Sequence, residues 1–320
     1  MNQPLEVICA GIIVADHVCS PIDHLPAAGE LVTSDRMILE IGGCAANVAV
    51  DLAKMRVRSA VAGWVGTDAF GDVVGEMLQR QGIDTESLLR VAEVPTSQTM
   101  IVNVRGQDRR FIHLFGANGE FAAEDIPMDR VAPGQVLYLG GYLVMPKLDA
   151  RKLADVLAEV RRRECRVVLD VVVPGPGHYL DRLAPLLPHV DVFMPNNDEA
   201  ELILGTGDPL AQAAKFRAMG ARTVVITLGG SGSVLESPEG RWRAGVFPTE
   251  MVDGSGSGDA FAAGFIVGMR RGADAVGCLR LASALGASCV RAIGTTPGVF
   301  TAEECDAFLA EHSLPIERLS

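Results

Sequence analysis

The sequence predicts an α/β protein: a mostly parallel central sheet flanked by helices, with a small β-sheet lid beside it. Three observations carry that expectation. Apolar strand-like runs alternate with helical patterns along most of the chain, which implies parallel strands covered on both faces. Two stretches break the alternation with strand-like residues and no helix between them. Finally, 48% of the 320 residues are hydrophobic, enough for a sizeable core. Length alone leaves one large domain or two smaller ones open. No repeat, low-complexity tract or Pro/Ser-rich linker divides the chain, so a single domain over residues 1–320 is expected.

In chain order, the first apolar run covers 5–14, with a strand over 5–12 and Asp16 near its end. Further strands are expected over 59–64, 136–139, 166–170, 191–194 and 223–227, and helices over 69–81, 149–163, 210–219, 275–290 and 302–311. Residues 31–41 mix apolar and polar side chains at strand spacing. Residues 97–105 and 109–115 read as a hairpin around Gly106-Gln107-Asp108. These helix-free pieces predict a small antiparallel sheet outside the main one, formed by about 15–41 and 97–116.

The most informative segment is Asp253-Gly254-Ser255-Gly256-Ser257-Gly258-Asp259, followed at once by an apolar run. Glycines permit positive φ, so successive N–H groups can converge into an anion-binding nest. The apolar run reads as a buried helix, whose start adds unpaired N–H donors and a positive dipole end. Asp259 at its mouth would meet a bound anion, an arrangement suited to phosphoryl transfer to a hydroxyl. A plain turn with a capping aspartate accounts for the same residues.

A second segment, Gly42-Gly43-Cys44-Ala45-Ala46-Asn47, opens a helix of small apolar residues. Close packing explains the alanines, but Asn47 needs a partner for its amide. A polyhydroxylated ligand resting on the Gly42-Gly43 backbone would supply one, with Asp16 as a third hydroxyl-reading element. Cys44 reads either as a pocket residue or as a small buried hydrophobe.

Together these segments resemble the signatures of the ribokinase-like (PfkB) family of sugar kinases. Gly42 to Asn47 is similar to the N-terminal signature and Asp253 to Asp259 to the C-terminal one. Pro195-Asn196-Asn197-Asp198-Glu199 is similar to the Asn-x-x-Glu segment, and Thr227-Leu228-Gly229-Gly230-Ser231-Gly232 to the strand and turn along the nucleotide. The resemblance implies an ATP- and Mg²⁺-dependent kinase acting on a monosaccharide hydroxyl. Asp259 would be the general base, with Gly256, Ser257 and Gly258 as the anion hole. Asp16, Gly42, Gly43 and Asn47 would read the sugar, and Asn196, Thr227, Gly229 and Gly232 would bind the nucleotide. Glu199 would organise Mg²⁺ through water; a solvated acid at a helix start is the plain alternative. In relatives Asp253 and the residue at 255 help hold a monovalent cation such as K⁺, and Ser255 keeps an oxygen there. The family's small sheet acts as a lid over the sugar and a dimer contact, which implies a homodimer.

Departures narrow the substrate. Ribokinases proper carry an acid near the position of Tyr142 and a lysine where Cys44 stands, so the family is implied without ribose itself. Arg105, Arg109 and Arg110 on the hairpin read as solvated rather than as contacts for an acidic substrate. A neutral pentose or ketohexose is favoured, a nucleoside stays open, and a non-catalytic sensor on the same fold is the rival from another class.

Composition excludes other classes. The net charge of −12 argues against nucleic acid and anionic membranes as partners. Seven cysteines without a C-x-x-C pair suit reduced thiols and no zinc. No basic leader precedes the first run, and no apolar stretch reaches the ~20 residues of a membrane helix, so a cytoplasmic location is expected. No lysine follows a glycine as in a P-loop, no G-x-S-x-G marks a hydrolase, and no G-x-G-x-x-G follows the first strand.

Overall fold

The structure, a computed structural model, describes residues 4–107 and 110–320, so Asp108 of the expected turn and Arg109 lie outside the described residues. In chain order the strands are β1 (Val7–Gly11), β2 (Val14–Cys19), β3 (Met37–Gly42), β4 (Ser59–Gly66), β5 (Asp84–Val91), β6 (Gln98–Val102) and β7 (Arg110–Leu114). They continue as β8 (Val136–Gly140), β9 (Arg166–Leu169), β10 (Val192–Phe193), β11 (Thr223–Thr227), β12 (Ser233–Ser237), β13 (Gly240–Ala244) and β14 (Ile316–Leu319). The helices are α1 (Cys44–Lys54), α2 (Ala69–Arg80), α3 (Ala150–Arg162), α4 (Leu180–Leu183), α5 (Asn197–Leu204), α6 (Pro209–Ala218), α7 (Ser257–Arg270), α8 (Ala275–Cys289) and α9 (Ala302–Glu311).

The main sheet runs β14-β13-β12-β11-β10-β9-β8-β1-β4-β5. From β11 to β5 every pairing is parallel, and β12, β13 and β14 extend it in antiparallel sense. Every residue of β1 and β8 is buried, as parallel strands roofed by helices require. Because these strands point one way, the residues that follow them gather along one edge. Ile12 follows β1, Asp170 follows β9, and Asn196 is bridged to Thr227 at the end of β11. Ligands of such sheets sit at that carboxyl edge.

The small sheet has the order β3-β2-β6-β7. Two of its ladders are antiparallel, but β2 and β6 run parallel, so the sheet is mixed rather than antiparallel throughout. The reason is topological. β2 leaves the main sheet just after β1, and β6 follows β5; those strands share a direction, so their continuations do too. The strand expected over 31–41 begins only at Met37. Residues 20–36 carry Pro21, Pro26 and Gly29, which cannot sustain a ladder, and contribute only an isolated bridge from Ile22 to Val104. The first apolar run also divides. Strand β1 ends at Gly11 and β2 starts at Val14, so Asp16 belongs to the small sheet and not to the end of a main-sheet strand.

Helix starts are chemically marked. Asp68, Asp149, Asp208 and Asp274 each accept a first-turn N–H of the helix they precede. Helices α5 and α9 carry reciprocal capping boxes, Asn196–Glu199 and Thr301–Glu304. Among the described residues, no helix is long and apolar enough to cross a membrane.

Candidate active site

Helices α1 and α7 pack against each other and bring together segments two hundred residues apart. Gly43 (φ 87°) starts α1 because a Cβ there would strike the Ile12 carbonyl. Gly256 (φ 74°) starts α7 in the left-handed region, where a Cβ would overlap the Thr295 carbonyl. One turn into each helix, Asn47 and Asp259 meet, and Asn47 Nδ2 donates to Asp259 Oδ2 at 2.8 Å. Asn47 Oδ1 in turn accepts from Thr295 Oγ1 at 3.0 Å. The amide of Asn47 therefore has its partners within the protein, where the sequence suggests a ligand as the partner.

Asp259 lies beside the first N–H groups of α7, which have no acceptor inside their own helix. Among the described residues, Ser257 N reaches only the Gly254 carbonyl, at 3.5 Å, and nothing lies within 4 Å of a Cβ built on Gly258. The nest is thus open on one side. Burial raises the Asp259 carboxyl above the ordinary range, while hydrogen bonds from Asn47 and the Cys44 thiol pull it back down. Cys44 is buried and sits against this carboxylate, so it is more than a filler.

Two further acids converge here. One oxygen or sulfur atom from each of Cys44, Asp170 and Asp259 lies within 4.8 Å of the others. Burial, and then the charges of Glu199 and Asp259, raise Asp170 well above the usual carboxylate range, against a 3.0 Å hydrogen bond from Tyr138 Oη. Sequence reasoning missed Asp170. Its only local signal is a lone acid between the apolar residues of β9 and Val171-Val172-Val173. Glu199 is half-buried, caps α5 through Asn196, and is pushed up to about 7 by burial, with Asp259 and Asp198 adding. It is a helix-start acid, but one inside the electrostatic field of Asp170 and Asp259.

Asp16 lies nearby on β2, 6% exposed. A Cβ on Gly42 would overlap its carboxylate, so glycine is required for Asp16 to lie flat on β3. Burial raises Asp16 to about 7, Thr99 opposes this, and Glu40 and Asp259 add to it. The folded protein thus retains a proton here that the unfolded chain releases near pH 4. The stability linked to this group is full below about pH 4 and is lost as pH rises through about 7. Relative to Asp16→Asn, the wild type should lose up to about 1.4 kcal/mol per unit between about pH 5 and 7. Urea midpoints for both proteins check this, and a pH-independent difference would contradict it.

Thr227, Gly229 and Gly232 line a cavity of about 500 Å³ with Phe247, Met251 and Ala287. It reaches Gly254, Ser257 and Gly258 at the nest. Asn196 joins the rim through its bridge to Thr227. Asp253 holds the turn before the nest, its Oδ1 accepting Ser255 N at 2.9 Å and its Oδ2 accepting Gly294 N at 3.0 Å. Ser255 Oγ is buried with no hydrogen-bond partner among the described residues. On the hairpin, Arg105 pairs with Asp23 at 2.8 Å and Arg110 donates to Gln107, both at the surface, while Arg109 lies outside the described residues.

The family model for pfkB family carbohydrate kinase matches residues 5–302. The chain is 28% identical over 319 residues to the ribokinase of Haemophilus influenzae, covering 98% of this chain and 100% of the relative. It is 26% identical to a nucleoside kinase of Methanothermobacter thermautotrophicus, covering 97% and 98%. The solved Arabidopsis thaliana ribokinase, complexed with ribose and ATP, superposes with a TM-score of 0.82 at 24% identity, over 96% of this chain and 99% of that one. The chain belongs to the pfkB family of carbohydrate kinases. It is accordingly an ATP-binding phosphotransferase with an alcohol acceptor, and kinases of this kind use ATP with Mg²⁺.

Proposed function

We propose that the protein transfers the γ-phosphoryl group of ATP to a hydroxyl of a neutral monosaccharide, a pentose or ketohexose, with Asp259 as general base. One observation carries the reading: the Asp259 carboxylate lies beside an open N–H nest at the end of a cavity edged by Thr227, Gly229 and Gly232. The acceptor hydroxyl donates its proton to Asp259, whose geometry Asn47 and Cys44 fix. The N–H groups of Gly256, Ser257 and Gly258 face the negative charge of the moving phosphoryl group. Asp16 and the Gly42-Gly43 backbone, with Asn47 beneath, orient the sugar. Asn196, Thr227, Gly229 and Gly232 line the nucleotide.

The neutral reading is supported at two of the three hairpin arginines, since Arg105 and Arg110 already have surface partners. A nucleoside is the second reading, supported by the nucleoside kinase relative. ADP release measured across pentoses, hexoses, sugar acids and nucleosides tests the substrate class. Turnover confined to sugar acids would defeat the neutral-sugar reading.

The donor set fits Mg²⁺: Asp170 and Glu199 are carboxylates raised by burial and by neighbouring negative charge, a condition that a cation relieves. When bound, Mg²⁺ would neutralise phosphate charge. Glu199→Gln keeps the cap, since Gln also closes a capping box, but removes the charge. We expect more Mg²⁺ to be needed for half-maximal rate and a lower turnover. An unchanged Mg²⁺ titration would reduce Glu199 to a helix cap. Ser255 Oγ, buried without a partner among the described residues, and Asp253 fit a monovalent cation such as K⁺.

The small sheet serves as a lid over the sugar, and its outer face as the contact between two copies. Every residue of β7 is exposed, and Met100, Ile112 and Leu114 form an exposed apolar surface. Sedimentation equilibrium should give a dimer, and Ile112→Glu a monomer. A wild-type monomer at micromolar concentration would contradict this.

A further inference from the structure

A second cavity, about 640 Å³, lies at the opposite edge of the main sheet from the nest. Its floor is formed where the parallel strands begin: Arg166 opens β9, Val192 opens β10 and Thr223 opens β11. Trp242 of β13, Arg318 of β14, and Phe265 and Met269 of α7 form its walls.

Three guanidinium groups reach this cavity from separate elements: Arg166, Arg222 and Arg318. In a chain with a net charge of −12 such convergence is not expected from composition. Their donor capacity is largely unspent. Arg166 gives one Nη2 hydrogen bond to the Met269 carbonyl at 3.2 Å, and Arg318 gives one to the Glu239 carbonyl at 2.7 Å. The Arg222 side chain makes no hydrogen bond among the described residues. A guanidinium has five N–H donors, so most are left for water or a ligand.

The carboxylates lining the same cavity are held by other hydrogen bonds, although Asp191 acts on Arg166 and Glu239 on Arg222 through their charge. Asp191 accepts Val167 N at 2.9 Å and faces Arg161 at 3.4 Å. Glu239 accepts Ser237 Oγ at 2.6 Å, and Asp274 caps α8 through Gly277 N at 2.8 Å. Arg166 is half-buried; burial and the nearby Arg270 charge disfavour its protonated form, and Asp191 only partly opposes them. An anion would relieve both effects. Beside the cations lies an apolar wall, Trp242, Phe265 and Met269, with the Arg318 guanidinium 5.6 Å from the Trp242 ring centre.

We propose that this cavity is a binding site for a small organic phosphate, its dianion held by Arg166, Arg222 and Arg318 and its apolar part resting on Trp242. Such geometry favours a phosphate monoester with a ring or short carbon chain over the bare ion, because the cations and the apolar wall adjoin. The site is separate from the nest and does not depend on the assignment of the reaction.

The test fills the nucleotide cavity first. With a saturating non-hydrolysable ATP analogue and Mg²⁺ present, phenyl phosphate and inorganic phosphate are titrated by calorimetry at constant ionic strength. We expect saturable binding of phenyl phosphate, tighter than that of inorganic phosphate. The doubly substituted Arg222→Gln/Arg318→Gln protein, altered only at exposed side chains, should bind at least about tenfold more weakly. Intact binding of the ATP analogue verifies its fold. No saturable binding of phenyl phosphate up to about 10 mM, or equal affinity in the variant, would overturn the proposal.

Discussion

Replacing Asp259 by asparagine should lower kcat by ~10²–10⁴ while leaving substrate and nucleotide binding nearly intact. The two side chains have the same shape, and the carbonyl oxygen of the substituted amide can still accept the 2.8 Å hydrogen bond from Asn47 Nδ2. The capacity to take a proton is lost, and the Cys44 thiol keeps at most a weaker contact with the amide. Folding should not suffer, because the carboxylate is held at a raised pKa by burial and its removal relieves a desolvated charge. The informative readout is the split: turnover falls while KM for sugar and ATP changes little. Near-wild-type turnover in the purified variant would remove Asp259 from the role of base.

Gly256→Ala should be nearly as damaging, for a different reason. The residue sits at φ 74°, and a Cβ would overlap the Thr295 carbonyl. Left-handed backbone alone costs about 1–2 kcal/mol for a residue with a Cβ. Relief of the overlap must move either the nest or the 294–296 turn. Since Thr295 also holds Asn47, which holds Asp259, the disturbance reaches the base. Loss of nest donors should lower kcat by ~10²–10³. Gly258→Ala is the control. Gly258 is helical with open space around its Cβ position, so alanine should preserve or raise stability while placing a methyl in the path of the phosphate. Turnover should fall in both variants and the denaturation midpoint only in Gly256→Ala. Full activity in Gly256→Ala would show that the nest does not act in transfer.

The parts of this site that are legible in the sequence are those written into short segments. Glycine alternation before an apolar helix marks the nest, because positive φ is a local requirement. Strands such as Thr223–Thr227 and helices such as Ala302–Glu311 have the expected bounds because their apolar pattern and caps are local as well. Asp170 is not legible, since its meaning comes from Tyr138, Cys44 and Asp259, which only the fold brings near. Asn47 stands out in the sequence as needing a partner, but that partner lies 212 residues away.

The same logic explains the missed strands. β5 is an edge strand with no fully buried residue, so its apolar signal is diluted. β14 has four residues, two of them charged, and acquires strand structure only by pairing with β13. The division between β1 and β2 hides inside one apolar run, because Ile12 and Ile13 are buried where the chain passes between sheets.

The central claim is transfer from ATP to a carbon-bound hydroxyl through Asp259. Phosphorus NMR of the protein with Mg·ATP and the sugar selected by the ADP-release screen tests it most directly. One new phosphate monoester is expected for each ADP formed, with both signals lost together in Asp259→Asn. ADP accompanied only by inorganic phosphate, or monoester formation undiminished in Asp259→Asn, would contradict it.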